Sequence, residues 1–327
     1  MAGRALLDVR GLEVEFDTPR GVVRAVRGAS LEVGEGECLA VVGESGSGKS
    51  QCFLACLGLL AAQGRASGSA CFDGRELVAA PRGLLDEVRG GPVGFVFQDP
   101  MNALTPHLTL GRQLGEAVLE RGLMSAEAAR KRSLELLARV GLPEPEARLR
   151  QYPHELSGGQ RQRVAIAMAL MTDPRLVIAD EPTTALDVTV QAQVLEVLRD
   201  VRRDGRSLVM ITHDLGVVAG IADRVAVMYA GRVVEVAPVE ALFASPAHPY
   251  TAALLASVPR LSGDVATSLA GIEGQPPRPG EIGAGCSFAP RCTQARDACR
   301  TRMPPSHANG ERRVECVAPL TGAGVSP

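Results

Sequence analysis

The sequence predicts an α/β fold built around a parallel sheet, because short apolar runs alternate with a helical pattern. Four such runs are typical of buried strands, namely residues 39–43, 93–98, 175–180 and 207–214. Between the last two, valine and leucine recur along one face of a helix in residues 188–205, which ends near Gly205. Strand, helix and strand with short connections predict βαβ units.

Two further segments depart from this alternation. Residues 110–155 have a helical pattern without a strand-like run, which predicts a helical insertion at about 100–170. After about residue 236 the alternation fades and proline becomes frequent, which predicts a small loop-rich segment. We therefore expect one large α/β domain over residues 1–240 and a small C-terminal domain over 241–327.

Composition narrows the class of partner. The 327 residues carry a net charge of −2, so bulk charge does not indicate a nucleic-acid partner. The N-terminus has no long apolar stretch, and the uncharged apolar run of residues 50–64 is shorter than the ~18 apolar residues that span a bilayer. We expect a chain that reaches a membrane only through other subunits.

The stretch "GESGSGKS" matches the pattern G-x4-G-K-[ST], between a predicted strand and a predicted helix. Glycines let the backbone curl so that its N–H groups and the helix N-terminus face phosphate oxygens. Lys49 adds a positive charge and Ser50 a hydroxyl for Mg²⁺. A plain glycine-rich turn is the alternative. The predicted nucleotide-binding residues are Gly43, Glu44, Ser45, Gly46, Ser47, Gly48, Lys49 and Ser50.

The stretch "LVIADEP" (176–182) is a predicted buried strand that ends in two carboxylates. Beside a phosphate loop, such carboxylates suit a metal ion and the attacking water. Asp180 is predicted to hold Mg²⁺ and Glu181 to act as the general base. A pair of solvated strand-end acids is the alternative.

The stretch "LSGGQ" (156–160) predicts a helix N-terminus with Ser157 as N-cap and Gln160 in a capping box. Gly158 and Gly159 in the first turn each cost about 1 kcal/mol of helix propensity relative to alanine. They leave backbone N–H groups bare, which favours a second anion site. Because the phosphate loop already serves one nucleotide, we expect these four residues to contact the nucleotide of another subunit.

Taken in order, these motifs over about residues 5–236 resemble those of the ATP-binding subunits of ABC transporters. The resemblance implies a RecA-like core, an antiparallel β subdomain and a helical subdomain. It also implies that two ATP molecules lie between the phosphate loop of one subunit and the "LSGGQ" motif of the other. Hydrolysis then reopens the pair and moves the membrane subunits.

The same resemblance implies roles for four more residues. Gln98 in "FVFQDP" would sense Mg²⁺ and the attacking water, and Asp187 in "ALD" (185–187) would reach across the dimer. His213 in "ITHD" would contact the γ-phosphate. Phe16 would stack on adenine, with a core or edge-strand phenylalanine as the alternative.

The stretches "FQDPMNALTP" and "SPAHPYTAALLASVP" resemble the oligopeptide and dipeptide importers among these proteins. The resemblance implies a second, usually different, ATPase subunit, two transmembrane permease subunits and an extracytoplasmic substrate-binding protein. It places the chain at the cytoplasmic face of the membrane. Relatives that carry nickel or glutathione leave another small solute as an alternative. A soluble DNA-repair or translation ATPase is a weaker alternative, because a second cassette and a coiled-coil insertion are both absent from the sequence.

The eight cysteines form two sets. Four lie among apolar residues and are typical of small core side chains: Cys38, Cys52, Cys56 and Cys71. The other four, Cys286, Cys292, Cys299 and Cys316, have the spacing C-x5-C-x6-C-x16-C. This spacing matches neither zinc knuckles nor iron–sulfur runs, so it leaves a cluster, a zinc ion or free thiols open. Resemblance to the importers favours a [4Fe–4S] cluster with a structural role, since relatives hold one in such a tail.

Overall fold

The computed structural model describes residues 5–184, 186–258, 271–278 and 281–320. The chain forms two compact units. The described residues of the first unit lie in Gly34–Cys38 and Ala80–Ile211. Those of the second unit lie in Ala5–Val33, Leu39–Ala79 and from Thr212 onward. Within these ranges, no helix is both long and apolar enough to cross a membrane.

The described strands are β1 (Leu7–Thr18), β2 (Gly21–Val33), β3 (Cys38–Val42), β4 (Gly64–Phe72), β5 (Arg75–Glu76), β6 (Val93–Val96), β7 (Leu176–Asp180), β8 (Ser207–Thr212), β9 (Arg224–Tyr229), β10 (Arg232–Pro238), β11 (Ser306–Asn309) and β12 (Arg312–Glu315). The described α-helices are α1 (Lys49–Cys56), α2 (Arg82–Arg89), α3 (Pro100–Ala103), α4 (Leu110–Glu120), α5 (Ala126–Arg139), α6 (Pro145–Arg148), α7 (Gly158–Ala169), α8 (Val188–Arg203), α9 (Leu215–Ala219), α10 (Val239–Ala244), α11 (Pro249–Ala256) and α12 (Asp297–Thr301).

Parallel strands organise the first unit. β6 pairs with β7 and β7 with β8, all parallel. Every residue of β7 and β8 is buried, because helices cover both faces of such a sheet. α8 follows β7 and ends just before Gly205, whose φ of 82° closes the helix. The predicted strands and this helix are confirmed, with ends that differ by up to two residues.

Helices occupy the segment that the sequence predicts as a helical insertion. Residues 100–170 contain α3 to α7 and a short 3₁₀ turn, Pro153–Glu155. α4 packs against α5, and both pack against α7. α4 buries Leu110, Leu114 and Val118, which are spaced along one helical face as the sequence pattern requires.

Two sheets organise the second unit. An antiparallel sheet has the order β2-β1-β4-β5. In the other, β3 pairs with β9 in parallel, and β9, β10, β12 and β11 continue antiparallel. The β11–β12 hairpin belongs to the tail that the sequence predicts as loop-rich. β12 joins β10 through the pairs Glu235–Val314 and Val236–Arg313. The tail is therefore tied to this sheet by backbone pairing.

The expectation that four cysteines are core side chains is correct for three of them. Cys38, Cys52 and Cys56 are fully buried. Cys71 is half-buried, and its thiol lies 3.5 Å from a carboxylate oxygen of Glu76. The prediction is wrong for Cys71 because β4 turns that side chain toward a polar neighbour on β5.

Candidate nucleotide and cysteine sites

The phosphate loop, residues 43–50, joins β3 to α1 in the second unit. Gly43 has φ 153°, and a Cβ there would lie 2.1 Å from the carbonyl oxygen of Met228. Gly48, the N-cap of α1, has φ 97°, and its Cβ would lie 2.4 Å from the carbonyl oxygen of Ala25. Backbone conformation and close packing therefore both require glycine at these two positions.

Lys49 is 5% exposed, and its Nζ donates to the carbonyl oxygens of Gly43 at 2.8 Å and Glu44 at 3.0 Å. Ser47 is 4% exposed, and within the described part of the chain its Oγ has no hydrogen-bond partner. A buried ammonium beside a buried unpaired hydroxyl fits a phosphate group, which accepts hydrogen bonds from both. Ser50 is half-buried in the first turn of α1, while Ser45 and Gly46 are exposed.

In the first unit, β7 ends at Asp180, which is 5% exposed. Glu181 follows with φ 45°, a left-handed conformation that costs a non-glycine residue about 1–3 kcal/mol. Its Oε2 accepts from Gln98 Nε2 at 3.1 Å and from Thr184 Oγ1 at 2.8 Å. The structure thus brings together the predicted pair Gln98 and Glu181. It adds Thr184, which no motif indicated.

The "LSGGQ" motif begins α7 as expected. Ser157 Oγ accepts from the Gln160 N–H at 3.3 Å, and Gln160 Oε1 accepts from the Ser157 N–H at 3.0 Å. Gly158 is exposed and has open space around it. Gly159 is buried, and its Cβ would lie 2.1 Å from Cγ1 of Val190 in α8. Close helix packing is therefore a second reason for that glycine.

Asp187 lies at the N-cap of α8, where Oδ1 accepts from the Val190 N–H at 3.0 Å. Ala185 of the same "ALD" stretch falls outside the described residues. In the second unit, His213 is exposed directly after β8. Phe16 is half-buried in β1, with its ring edge against Gly64 of β4.

All four tail cysteines line one pocket, which we call the cysteine cavity. His248 and Phe288 line it as well. The Cys286 N–H donates to the Cys299 carbonyl oxygen at 2.7 Å, which joins two of the cysteine segments. The described cysteines are free of disulfides. Among the described residues, no group of three or more histidine, cysteine or acidic side chains is arranged to hold a metal ion.

Burial governs the chemistry of this cavity. It raises the pKa values of Cys286 and Cys292, and it raises the pKa of Cys316 to about 11. Without a metal, these thiols stay protonated at neutral pH and are weak nucleophiles. Burial also lowers the pKa of His248 to about 3, so its imidazole is neutral.

His248 is 1% exposed, and its Nδ1 accepts from the Tyr250 N–H at 3.0 Å. Since Nδ1 is an acceptor and the ring is neutral, Nε2 carries the proton. That N–H has no hydrogen-bond partner among the described residues. This buried N–H is therefore free to donate to a bound group or an ordered water.

A phosphate loop, strand-end carboxylates and a capped "LSGGQ" helix on an α/β fold define a P-loop ATPase of the ATP-binding cassette class. The family model "ABC transporter" matches residues 26–184, and the model "Oligopeptide/dipeptide transporter, C-terminal region" matches residues 234–299. The oligopeptide transport ATP-binding protein OppD of Escherichia coli is 47% identical over 97% of this chain and 94% of its own length. The dipeptide transport ATP-binding protein DppD of Bacillus subtilis is 48% identical over 90% of this chain and 88% of its own length.

Solved structures of other ATP-binding cassettes have a similar fold. The ATP-binding cassette MJ0796, in a dimeric post-hydrolysis state with ADP and Pi, matches with a TM-score of 0.64 and 30% identity, over 71% of this chain and 98% of that one. The cbiO1 protein of Clostridium perfringens, part of the ABC transporter complex cbiONQ, matches with a TM-score of 0.61 and 30% identity, over 73% of this chain and 91% of that one. The chain belongs to the ABC transporter ATP-binding family, in the branch with the oligopeptide/dipeptide C-terminal region. It is an ATP-hydrolysing subunit, and the predicted fold class is confirmed.

Proposed function

We propose that this ATPase powers the import of dipeptides and oligopeptides across the cytoplasmic membrane. The observation that carries the proposal is the His-Pro-Tyr segment, residues 248–250, which begins α11 in the second unit. Buried Glu235 accepts the N–H groups of Ala247 at 2.9 Å and His248 at 2.8 Å. Similarity to peptide-transport ATP-binding proteins over nearly the whole chain supports the same conclusion.

The partners follow from how such a cassette is used. Two permease subunits in the membrane and an extracytoplasmic binding protein deliver the peptide, and this chain lies at the cytoplasmic face. A second ATPase subunit, a different chain, faces the "LSGGQ" helix. The exposed first turn at Gly158 supports this pairing, because an open helix N-terminus is an anion site that the nucleotide of a partner would fill.

The residue roles divide between binding and chemistry. Residues 43–50 hold the phosphates and Phe16 stacks on adenine, while Ser50, Asp180 and Gln98 are the proposed Mg²⁺ residues; the ion would neutralise phosphate charge when bound. Glu181 takes the proton of the attacking water, and His213 contacts the γ-phosphate. The four "LSGGQ" residues from Ser157 to Gln160 and Asp187 contact the nucleotide of the partner. The hydrogen bonds from Gln98 and Thr184 to one oxygen of Glu181 support its role, because they orient the carboxylate.

The experiment is transport by the assembled complex in proteoliposomes. Peptide-loaded binding protein should stimulate ATP hydrolysis and accumulate labelled peptide. Glu181→Gln should lower turnover by about 10²–10⁴-fold while ATP binding is kept, because a general base contributes that much. Glu196→Gln, an exposed carboxylate on α8, is the matched control. Unchanged turnover in Glu181→Gln would remove that residue as the base.

The same assay separates the other solutes. If nickel or glutathione is taken up and peptide is not, that solute is the transported substrate. If the protein co-purifies with nucleic acid or ribosomes and without permease subunits, it acts as a soluble ATPase and the importer proposal is wrong.

We also propose that Cys286, Cys292, Cys299 and Cys316 hold a [4Fe–4S] cluster. Their convergence on one cavity supports this, as does the unpaired Nε2–H of His248, a donor suited to sulfur. No group of the described residues is already arranged to hold a metal ion, so the cysteine sulfurs would have to close in around either a cluster or a zinc ion when it binds. When bound, the cluster supplies iron–thiolate bonds that cross-link the tail.

Anaerobic purification tests the cluster. We expect about four iron and four sulfide per chain, with a broad absorbance band near 400 nm. A colourless protein with one zinc ion per chain would instead assign the site to zinc, and a metal-free protein would leave free thiols.

A further inference from the structure

The tail reaches the phosphate loop through an ion pair. Arg291, which directly precedes Cys292, donates from Nη1 to Oε2 of Glu44 at 2.7 Å and from Nη2 to Oε1 at 3.0 Å. The two residues are 247 positions apart in the sequence, and the Arg291 side chain is 5% exposed. Such a two-bond pair, shielded from water, is stronger and more directional than an exposed one.

The guanidinium is fixed on its other sides as well. Nε donates to the carbonyl oxygen of Glu273 at 2.9 Å, and Nη2 donates to that of Ile272 at 3.1 Å. Nη1 also donates to the hydroxyl oxygen of Tyr229 at 3.2 Å. Only the planar fork of arginine serves all these acceptors together, because a lysine ammonium is a single point.

A second tail side chain holds the same loop residue by its backbone. The Glu44 N–H donates to Oη of Tyr250 at 3.0 Å. Tyr250 is fully buried, and its ring packs against those of Tyr229 and Phe288. Glu44 is therefore held at its carboxylate by Arg291 and at its N–H by Tyr250.

Glu44 in turn supports the lysine of the loop. The carbonyl oxygens of Gly43 and Glu44 are both acceptors of Lys49 Nζ. Any shift of Glu44 moves these acceptors, and Lys49 with them. Small displacements of a charged group weaken its interaction with a bound anion.

We propose that Arg291 and Tyr250 are positioning residues for ATP, through which the tail sets the conformation of the phosphate loop and its affinity for nucleotide. This rests on the proposed assignment of residues 43–50 to the phosphates. A cassette that ends before the tail would lack both contacts.

A double-mutant cycle tests the ion pair. The purified full chain, its Arg291→Gln and Glu44→Gln variants and the double variant are titrated with ADP and Mg²⁺ by calorimetry. Each single change should weaken ADP binding by about tenfold, and the double variant should be no weaker than either single one, because coupled residues are not additive. Arg291→Lys should recover only part of the affinity.

Two variants guard against a purely structural explanation. Tyr250→Phe keeps the buried ring and should weaken ADP binding by about threefold, because it removes one hydrogen bond. Glu315→Gln breaks another half-buried tail pair, to Arg232 at 2.8 Å, and should leave ADP affinity unchanged. In the assembled complex, the Arg291 and Tyr250 variants should raise KM for ATP more than they lower kcat.

Two outcomes would overturn the proposal. If Arg291→Gln and Tyr250→Phe lower the melting temperature but leave ADP affinity at the wild-type value, the contacts serve the fold alone. The Lys49→Ala variant tests separately whether residues 43–50 bind the phosphates. If Lys49→Ala also leaves ADP affinity unchanged, the phosphate-site assignment falls together with the proposal.

Discussion

The phosphate loop and the cysteine cavity are built in opposite ways. The loop consists of eight consecutive residues, and its geometry comes from glycines with positive φ, two of which, Gly43 and Gly48, also pack against neighbouring backbone. The cavity collects residues between His248 and Ala318 from several separate segments. A contiguous site is complete once its own backbone folds. An assembled site needs something to hold its parts together, and the proposed cluster would do so.

The cavity should therefore depend on its occupant more than the loop does. Cys292→Ser should release most of the iron and lower the free energy of unfolding by about 5 kcal/mol or more, because metal binding contributes directly to folding. Iron analysis and urea denaturation under anaerobic conditions measure both effects. Cys71→Ser, at a half-buried cysteine outside the cavity, is the control. Equal iron content in the two variants would show that Cys292 does not hold iron.

The phosphate loop should instead depend on backbone geometry. Gly46→Ala should cost about 1–2 kcal/mol of stability, the penalty of a left-handed conformation. Gly48→Ala should cost a further ~1–3 kcal/mol, because its Cβ would also press on the carbonyl oxygen of Ala25. Urea denaturation without nucleotide measures the difference. Equal losses would show that close packing at Gly48 contributes nothing.

The "LSGGQ" glycines offer a matched pair on a second contiguous site. Gly159→Ala should cost about 1–3 kcal/mol, because the new methyl group would overlap Val190. Gly158→Ala has open space and should stabilise the isolated chain by up to ~1 kcal/mol through helix propensity. Urea denaturation of the two variants shows whether each change lowers or raises the free energy of unfolding. Destabilisation by both would contradict the packing explanation.

The smallest expected effect concerns His248. His248→Asn keeps an acceptor for the Tyr250 N–H but removes the Nε2–H donor. If the proposed cluster loses a hydrogen bond of ~1 kcal/mol that favours its more negative, reduced form, its reduction potential should become more negative by about 40 mV. Redox titration measures this shift. His248→Gln places an amide N–H near the lost donor and should restore most of the potential. An unchanged potential in the asparagine variant would contradict the proposed hydrogen bond from His248 Nε2 to the cluster.

Much of the nucleotide site could be predicted, because each of its parts is a short pattern. The glycines before Lys49, the carboxylates Asp180 and Glu181, and the capping box at Ser157 all depend on residues within a few positions. Backbone conformation and helix capping act over that range. The parallel strands were predictable for the same reason, since burial on both faces leaves a continuous apolar run.

Tertiary structure alone decided the rest. The contacts of Gly159 with Val190 and of Arg291 with Glu44 obey no local periodicity. The tail hairpin joins β10 although its strands are short and rich in polar residues. The convergence of four widely spaced thiols on one cavity likewise comes from packing. Local rules depend on chain neighbours, whereas these contacts arise only when distant segments share one core. The sequence therefore defined the ATPase family, and the tertiary structure defined how the tail contacts the phosphate loop.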